Sequence, residues 1–205
     1  MNKLTTLFAG IFGCFAFAWV GMVLIPNEDL GHLAPVIQED TGSSVPKADS
    51  GLIERGRRIY AANGCVYCHS QQIRPSDIEE GHNRGWGPRR TVPRDYLYEN
   101  PPFLGTMRTG PDLTNIGHRQ SSEEWHYKHL YMPWSVTPGS IMPSFSFLFE
   151  KRKIGGQPSS DALKMDAPYA ALPGEEIVPT EDAKALVAYL KSRDCTYPLP
   201  EAPEK

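Results

Sequence analysis

The chain has 205 residues, which is enough for one domain and an appendage. Its formal net charge of −3 provides no strongly basic surface, so we expect no nucleic-acid partner. With 18 glycines and 19 prolines, the composition favours a loop-rich domain over one built from long regular elements.

The first predicted element is an apolar helix. Leu4 to Ile25 form a run of 22 residues without a charge. At about 1.5 Å per residue this run would be roughly 33 Å long, enough to cross a hydrocarbon core of about 30 Å. The alternative, a cleaved signal peptide, usually has an apolar region of only about 7–15 residues that ends at a small-residue site, and no such site follows here. We therefore expect residues 1–25 to be a retained transmembrane anchor.

A linker and a second helix follow the anchor. Residues 26–50 contain proline, glycine, serine and acidic residues without periodicity, which predicts a linker. Between residues 51 and 62, apolar or aromatic side chains recur at helical spacing. Gly56 lies on the same face, where it would allow another helix to approach closely.

The sequence Asn63–Ser70 contains the motif C-x-x-C-H. This motif is typical of covalent haem c attachment, since two thiols at this spacing reach the two vinyl groups of a porphyrin and the adjacent histidine can bind the iron. We expect Cys65 and Cys68 to hold one haem c and His69 to be an axial ligand. A zinc site would need a second pair of ligands, and only Cys14 and Cys195 remain.

The motif also predicts the compartment. Haem is attached to reduced thiols on the outer face of a membrane, so we expect an extracytoplasmic domain in which Cys195 is a lone thiol. Lys3 precedes the apolar run, and Glu28 and Asp29 follow it. The positive-inside rule then places the N-terminus in the cytoplasm, in agreement with the haem argument.

Residues 74–119 contain arginine but no lysine. The planar guanidinium group favours bidentate pairing with carboxylates, so these arginines could pair with haem propionates or with carboxylates of a partner protein. Ion pairs within the chain are the alternative. The set is Arg74, Arg84, Arg89, Arg90, Arg94, Arg108 and Arg119.

Two further helices are predicted downstream. One covers residues 121–130, where Ser121 and Glu124 fit a capping box. The other runs from Thr180 to Ser192, with acidic residues in its first turn and one apolar stripe. Residues 150–179 show only a weak, polar pattern that predicts loops, and residues 194–205 predict a flexible tail.

The second axial ligand determines what a haem c can do, because a histidine–methionine pair favours electron transfer whereas an open position binds small molecules. Met142 is our candidate, since a Met-Pro pair in a loop bounded by glycine and proline can present its sulfur rigidly. Spacing alone leaves other candidates open, namely Met107, His118, His126, His129 and Met132.

Three stretches carry a resemblance to a known family: GCVYCHSQQIRP (64–75), RTGPDLTNIG (108–117) and EWHYKHLYMPWSVTPGSIMP (124–143). They resemble the membrane-anchored mono-haem cytochrome c subunit (subunit II) of cbb3-type haem–copper oxidases. The string that follows the histidine of the motif is far more specific than C-x-x-C-H itself. Residues 77–104 and 150–179 match the family only loosely.

The resemblance implies roles for individual residues. Cys65 and Cys68 would hold the haem, with His69 as the proximal axial ligand and Met142 as the distal one. Pro111 would lie beside the proximal histidine. Arg108, in the same motif, is counted with the residues that bind the cofactor.

The resemblance also implies a fold and a function. We expect a mainly α protein with one N-terminal transmembrane helix and a loop-rich c-type cytochrome domain over residues 51–193. It would sit in a bacterial inner membrane with its haem domain in the periplasm. It would not be an enzyme by itself, but would relay electrons from a donor cytochrome towards a catalytic haem–copper subunit, alongside a further cytochrome c subunit.

Three alternatives remain at this point. The chain could be the cytochrome c subunit of a nitric oxide reductase-type complex, against which the string after the motif argues. It could also be a free-standing anchored electron carrier. A haem-based gas sensor or peroxidase would need an open sixth position on the iron.

Overall fold

A computed structural model describes residues 2–75 and 84–203. Three parts of the predictions lie outside this range: Met1 of the anchor, the first part of the loosely matching stretch from Asp77, and the last two residues of the tail. The fold is mainly α, as predicted, with an N-terminal apolar helix and a remainder rich in loops. The chain divides into two compact units, one of residues 1–46 with 93–97, and one of residues 47–92 with 98–205.

The first unit begins with a continuous helical segment, Lys3–Leu30. It consists of α1 (Lys3–Trp19), a π-helical turn (Val20–Leu24) and α2 (Ile25–Leu30). With a mean hydropathy of 2.2 and no part of its most apolar stretch buried, the segment is long and apolar enough to span a membrane. It extends beyond the predicted end at Ile25 because Pro26 falls in the first turn of α2, where proline is tolerated.

The predicted linker contains regular structure as well. Strand β1 (Val36–Ile37) pairs antiparallel with β2 (Ser44–Val45) to make a small hairpin. A 3₁₀ turn, Pro93–Tyr96, completes this unit, and the Arg94 guanidinium donates a hydrogen bond to the Ala34 carbonyl. These elements are too short to give a periodic signal in the sequence.

The second unit contains the other helices and a pair of antiparallel strands. Its elements in chain order are α3 (Gly51–Ala62), α4 (Ile116–Arg119), α5 (Glu123–Tyr131), α6 (Pro133–Val136), β3 (Phe149–Lys153), β4 (Glu175–Pro179) and α7 (Glu181–Ser192). Two 3₁₀ turns, Cys65–Tyr67 and Ser146–Leu148, lie between them.

Helices α3 and α7 pack closely, and the prediction of both helices is confirmed. A Cβ added to Gly56 would lie 2.0 Å from the Ala185 carbonyl oxygen, so only glycine fits at this contact. Beside it, the rings of Tyr60 and Tyr189 are 5.4 Å apart and fully buried. At the start of α7 the Thr180 hydroxyl accepts a hydrogen bond from the Ala183 amide, as expected of an N-cap residue.

Helix α5 begins one residue later than the predicted capping box requires. The N-cap is Ser122, whose hydroxyl accepts a hydrogen bond from the Trp125 amide at 3.2 Å. The prediction of Ser121 as the cap is therefore wrong. The capping-box pattern favours Ser121 because Glu124 follows it by three residues, whereas Ser122 caps the helix although Trp125 stands at that distance.

The prediction of loops over residues 150–179 is confirmed for residues 154–174 but is wrong at both ends, where β3 and β4 pair. Strand β3 presents four charged residues to solvent and buries only Phe149. This composition hides the alternation that identifies a half-buried strand. A cross-strand hydrogen bond of 2.8 Å between Arg152 Nε and Glu176 Oε1 reinforces the pairing.

The C-terminal segment packs against the second unit, whereas the sequence predicts a flexible tail. Cys195 is buried together with Ile73 and Trp86, and further along Leu199 and Ala202 are buried as well. The Arg89 Nε group donates a 3.1 Å hydrogen bond to the Tyr197 carbonyl. Apolar residues spaced between prolines give these contacts, although they form no helical or strand pattern.

A candidate haem-binding site

A largely apolar cavity of about 550 Å³ lies in the second unit, a volume typical of small-molecule and cofactor pockets. Tyr60 of α3, the C-x-x-C-H motif and residues 109–111 line one part of it. Leu113, residues of α4 and α5, the loop Thr137–Pro143 and two leucines of α7 also line it, together with Gln120. The cavity therefore draws its walls from segments that are far apart in the sequence.

The motif forms a tight turn directly after α3. Gly64, with φ of +69°, ends the helix and allows the chain to reverse. The amides of Cys68 and His69 donate hydrogen bonds of 3.1 and 3.0 Å to the Cys65 carbonyl. As a result both thiol-bearing residues and the histidine line the same cavity.

Burial raises the pKa of the Cys65 thiol to about 11. A reactive redox cysteine has the opposite property, a lowered pKa that yields a thiolate at neutral pH. The site therefore does not favour a redox dithiol. Within residues 2–75 and 84–203 no group of three or more histidine, cysteine or acidic side chains is arranged to hold a metal ion, so a zinc site finds no support there either.

The ring of His69 is held in one orientation. Its Nδ1 group lies 2.7 Å from the Pro111 carbonyl oxygen, to which it can donate a proton. This bond leaves Nε2 as the nitrogen available to a metal. Burial lowers the pKa of His69, opposed by that hydrogen bond and by the charge of Asp112, so the imidazole stays neutral at neutral pH.

Gly110 fits against the face of this ring. A Cβ at this position would lie 2.2 Å from His69 Cε1, far inside van der Waals contact. The Gly110 amide also donates a 2.9 Å hydrogen bond to the Cys68 carbonyl. Gly110 and Pro111 thus support the imidazole from one side. The string Gly-Pro-Asp was the feature of the sequence that indicated this support.

Met142 lines the cavity from the loop Thr137–Pro143 and is half-buried against the core. Its amide donates a 3.3 Å hydrogen bond to the Ser140 hydroxyl, and the Ser140 amide bonds to the Thr137 carbonyl at 3.1 Å. Of the other candidate ligands, Met107, His118 and Met132 are not among the residues that line the cavity.

His126 and His129 of α5 line it as well, and each ring makes contacts through one nitrogen or its face. The Nε2 atom of His126 lies 2.8 Å from the Gln120 carbonyl oxygen. The ring of His129 stacks on Trp125 at 4.6 Å, and its Nδ1 atom lies 3.4 Å from the Thr137 hydroxyl. Burial lowers the pKa of His129 to about 4, so it is neutral at neutral pH.

The arginines of residues 74–119 are not equivalent. Arg108 bonds to Ser70 and Gln72 and is not among the residues that line the cavity. Arg119 does line it, donates a hydrogen bond to the Asp112 carbonyl, and has a buried Nε group without a hydrogen-bond partner within the described part of the chain. An orphaned guanidinium donor on a cavity wall suits a carboxylate such as a haem propionate. No feature of the sequence distinguishes Arg119 from the other six arginines.

These residues together fit a haem. Two thiols, an imidazole with a free Nε2 and a thioether surround an apolar space, and this combination of donors suits haem iron. The helical domain and its cavity are those of a haem-binding protein.

A family model described as "Cytochrome C oxidase, mono-heme subunit/FixO" matches residues 15–173, most of the chain. The chain belongs to this family, and it is a mono-haem subunit of a cytochrome c oxidase. One haem and a place in a multi-subunit complex follow from that membership. A comparison with curated proteins found no match.

Proposed function

We propose that this chain is the membrane-anchored electron-transfer subunit of a cbb3-type haem–copper oxidase. It would carry one haem c bound covalently through Cys65 and Cys68, with His69 and Met142 as axial ligands. It would relay electrons from a donor cytochrome towards the catalytic subunit that reduces oxygen. The observation that carries the proposal is that all four of these side chains line one apolar cavity.

Each residue has a defined task in this function. The haem, when bound, supplies the reversible one-electron step. The two cysteines fix its position, and the Pro111 carbonyl fixes the His69 ring and strengthens it as a donor. Met142 would supply the second iron ligand, which would favour electron transfer over binding of small molecules. The apolar walls would exclude water, and Arg119 would neutralise a propionate.

The proposed location follows from the N-terminal segment. The helix Lys3–Leu30 is long and apolar enough to hold the chain in a bacterial inner membrane as a single pass. Lys3 at its start and two acidic residues towards its end favour a cytoplasmic N-terminus, with the haem domain in the periplasm. The proposed partners are the catalytic haem–copper subunit and a further cytochrome c subunit. The chain by itself would not be an enzyme.

The test is a reduced-minus-oxidised spectrum of the complex that co-purifies with the tagged full-length chain in mild detergent. We expect haem b bands beside the haem c signal, with part of the b signal reactive towards carbon monoxide. Oxygen consumption by the same sample, compared with nitric oxide consumption, separates the oxidase from a nitric oxide reductase. A c-type signal without b bands would show a free-standing carrier instead.

A variant pair tests the attachment itself. The double substitution Cys65→Ala, Cys68→Ala should abolish haem that remains on the chain after denaturing electrophoresis. Cys14→Ala, which removes an exposed thiol of the apolar helix, is the matched control and should leave the signal unchanged. Equal haem signals in the double variant and the control would contradict covalent attachment.

A further inference from the structure

The segment after the C-x-x-C-H motif is clamped to a second segment that precedes α4. The Gly110 amide bonds to the Cys68 carbonyl at 2.9 Å, and the Leu113 amide bonds to the Ser70 carbonyl at 2.8 Å. The bond from His69 to the Pro111 carbonyl lies between these two. Three hydrogen bonds within a few residues thus join the two segments, so the position of one segment determines the position of the other.

Asp112 is the side chain at the centre of this clamp. It is fully buried, and its Oδ2 atom accepts hydrogen bonds from the Ser70 hydroxyl at 2.6 Å and the Gln72 amide at 2.8 Å. Its Oδ1 atom accepts a third bond from the Thr114 amide, also at 2.8 Å. A buried carboxylate needs such donors, and here they come from both sides of the clamp.

Arg108 supplies the opposite charge. Its guanidinium lies 3.8 Å from Asp112 Oδ2, and the two side chains are 8% and 0% exposed. Its Nε group donates a 2.8 Å bond to the Ser70 hydroxyl, a second donor reaches the Gln72 carbonyl, and the group lies 5.1 Å from the centre of the Trp86 ring. Ser70 and Gln72 therefore each contact both members of the charge pair.

Breaking a buried pair of this kind is costly, because it leaves one charge without compensation. Asp112 is bonded directly to Pro111, whose carbonyl orients His69, so this charge pair is built into the support of a candidate iron ligand. The strings SQQIRP (70–75) and RTGPDL (108–113) supply these residues, and the charged residues Arg108 and Asp112 are not among those that line the cavity. They act on the site through Pro111 and through their charge.

We propose that Asp112 and Arg108 are positioning residues that hold the Pro111 carbonyl against His69 and set the reduction potential of the haem through their opposite charges. This inference rests on the proposed function, since it requires that His69 binds the iron. In this proposal Arg108 lies behind His69 and does not contact the cofactor directly.

The sign of the effect follows from electrostatics. The ferric state carries one more positive charge than the ferrous state, so a nearby negative charge favours the ferric state and a nearby positive charge favours the ferrous state. Removal of the Asp112 charge should raise the reduction potential, and removal of the Arg108 charge should lower it. Loss of packing alone would not produce opposite signs in two residues that share the same neighbours.

The experiment is redox titration of the full-length, haem-loaded chain carrying Asp112→Asn or Arg108→Gln. We expect the ferrous-to-ferric ratio at a fixed potential to rise about tenfold in the first and to fall about tenfold in the second, equivalent to about 59 mV each way. The double variant should lie between the two. Shifts of the same sign, or no shift in either variant, would overturn the proposal.

Matched controls come from an exposed pair on α3 and α7. Arg55 and Asp182 lie 2.7 Å apart with side chains 48% and 50% exposed, so solvent screens their charges. Asp182→Asn and Arg55→Gln should leave the potential unchanged. Arg108→Lys keeps the positive charge but lacks the planar guanidinium group. The reduction potential of this variant should lie nearer to that of the wild type than the potential of Arg108→Gln.

Haem content separates failure of this inference from failure of the proposed function. Wild-type chain without covalent haem would refute the proposed function, whereas haem-loaded variants with unchanged potentials would refute only the role of the charge pair. If Asp112→Asn fails to retain haem, Arg108→Gln and Arg108→Lys still decide the sign. A raised potential in Arg108→Gln would then overturn the proposal.

Discussion

The cavity has two unlike walls, one carrying His69 and the other carrying Met142. On the His69 wall, backbone and side-chain hydrogen bonds tie the motif to residues 108–114, and Gly110 fills the space behind the ring. On the Met142 wall, the local support is a short loop in which Ile141 is 78% exposed. The comparison teaches that one candidate ligand is fixed by the fold, whereas the other is presented by a segment that can adjust.

The difference has a physical basis in burial. Asp112 and Ser70 are fully buried, so the bonds of the His69 wall are shielded from water and are strong. The loop Thr137–Pro143 has few buried apolar contacts and solvent-exposed bonds, which are features of segments that open locally. We therefore expect substitutions on the His69 wall to have larger effects than matched substitutions on the Met142 wall.

The largest contrast should come from one glycine on each wall. In Gly110→Ala the new Cβ would lie 2.2 Å from His69 Cε1, so the ring must move and ligation of the iron should be lost. In Gly139→Ala nothing lies within 4 Å of the new Cβ, and a φ of +79° costs only about 1–2 kcal/mol. The measurement is haem content and the low-spin spectrum of both variants. Equal spectra in the two would remove the distinction between the walls.

Loss of the Met142 ligand should have an intermediate effect. In Met142→Ala we expect the far-red band of a thioether bound to ferric iron to disappear and carbon monoxide binding to appear, while the haem stays covalently attached. Met132→Ala is the matched control, because Met132 packs against the core without lining the cavity. An unchanged band in Met142→Ala would show that another methionine is the sixth ligand, and a low-spin spectrum without the band would point to a histidine such as His129.

The smallest effect should be on the pH dependence of stability, which involves His129. The Nδ1 atom of this residue lies 3.4 Å from the hydroxyl of Thr137, which belongs to the loop on the Met142 wall. Burial lowers the pKa of His129 from 6.5 in the unfolded chain to about 4 in the folded one, so protonation favours unfolding. Its contribution is fully present above pH 6.5 and is lost as the pH falls towards 4, by an amount on the order of 3 kcal/mol.

Urea unfolding of the haem-loaded chain at pH 7 and pH 5 measures this contribution. His129→Gln should reduce the loss of stability between the two values, whereas His118→Gln, at an exposed position outside the cavity, should not. An equal loss in wild type and His129→Gln would show that other groups control the pH dependence.

The helices show what a single sequence can predict. The bounds of α3 and α7 and the contact at Gly56 followed from apolar spacing, because amphipathic helices carry their own pattern. The motif could likewise be assigned to one candidate site, since its two cysteines and its histidine are nearly adjacent in sequence and line the same cavity. The choice of Met142 over Met132 rests on the glycine- and proline-bounded loop and on the resemblance that supports it, because spacing in an irregular loop does not give side-chain direction.

Other features depend on contacts between distant parts of the chain. The pairing of β3 with β4 and the packing of the C-terminal segment were missed because neither has a local pattern. The partners of Arg108 and the orphaned donor of Arg119 were equally hidden, since seven arginines in one span look alike until the chain is folded. The partners of individual arginines can be assigned only from the three-dimensional structure.

The contact between Gly56 and Ala185 has a consequence for the order of assembly. The two residues are separated by more than half of the 205-residue chain, and α7 contributes Leu186 and Leu190 to the cavity. Contacts between such distant segments form slowly, and the chain is synthesised from its N-terminus. The motif therefore spends a period in an open chain, where the Cys65 thiol is not yet buried. The proposed thioether bonds would form in that interval, before α7 packs against α3 and encloses the haem.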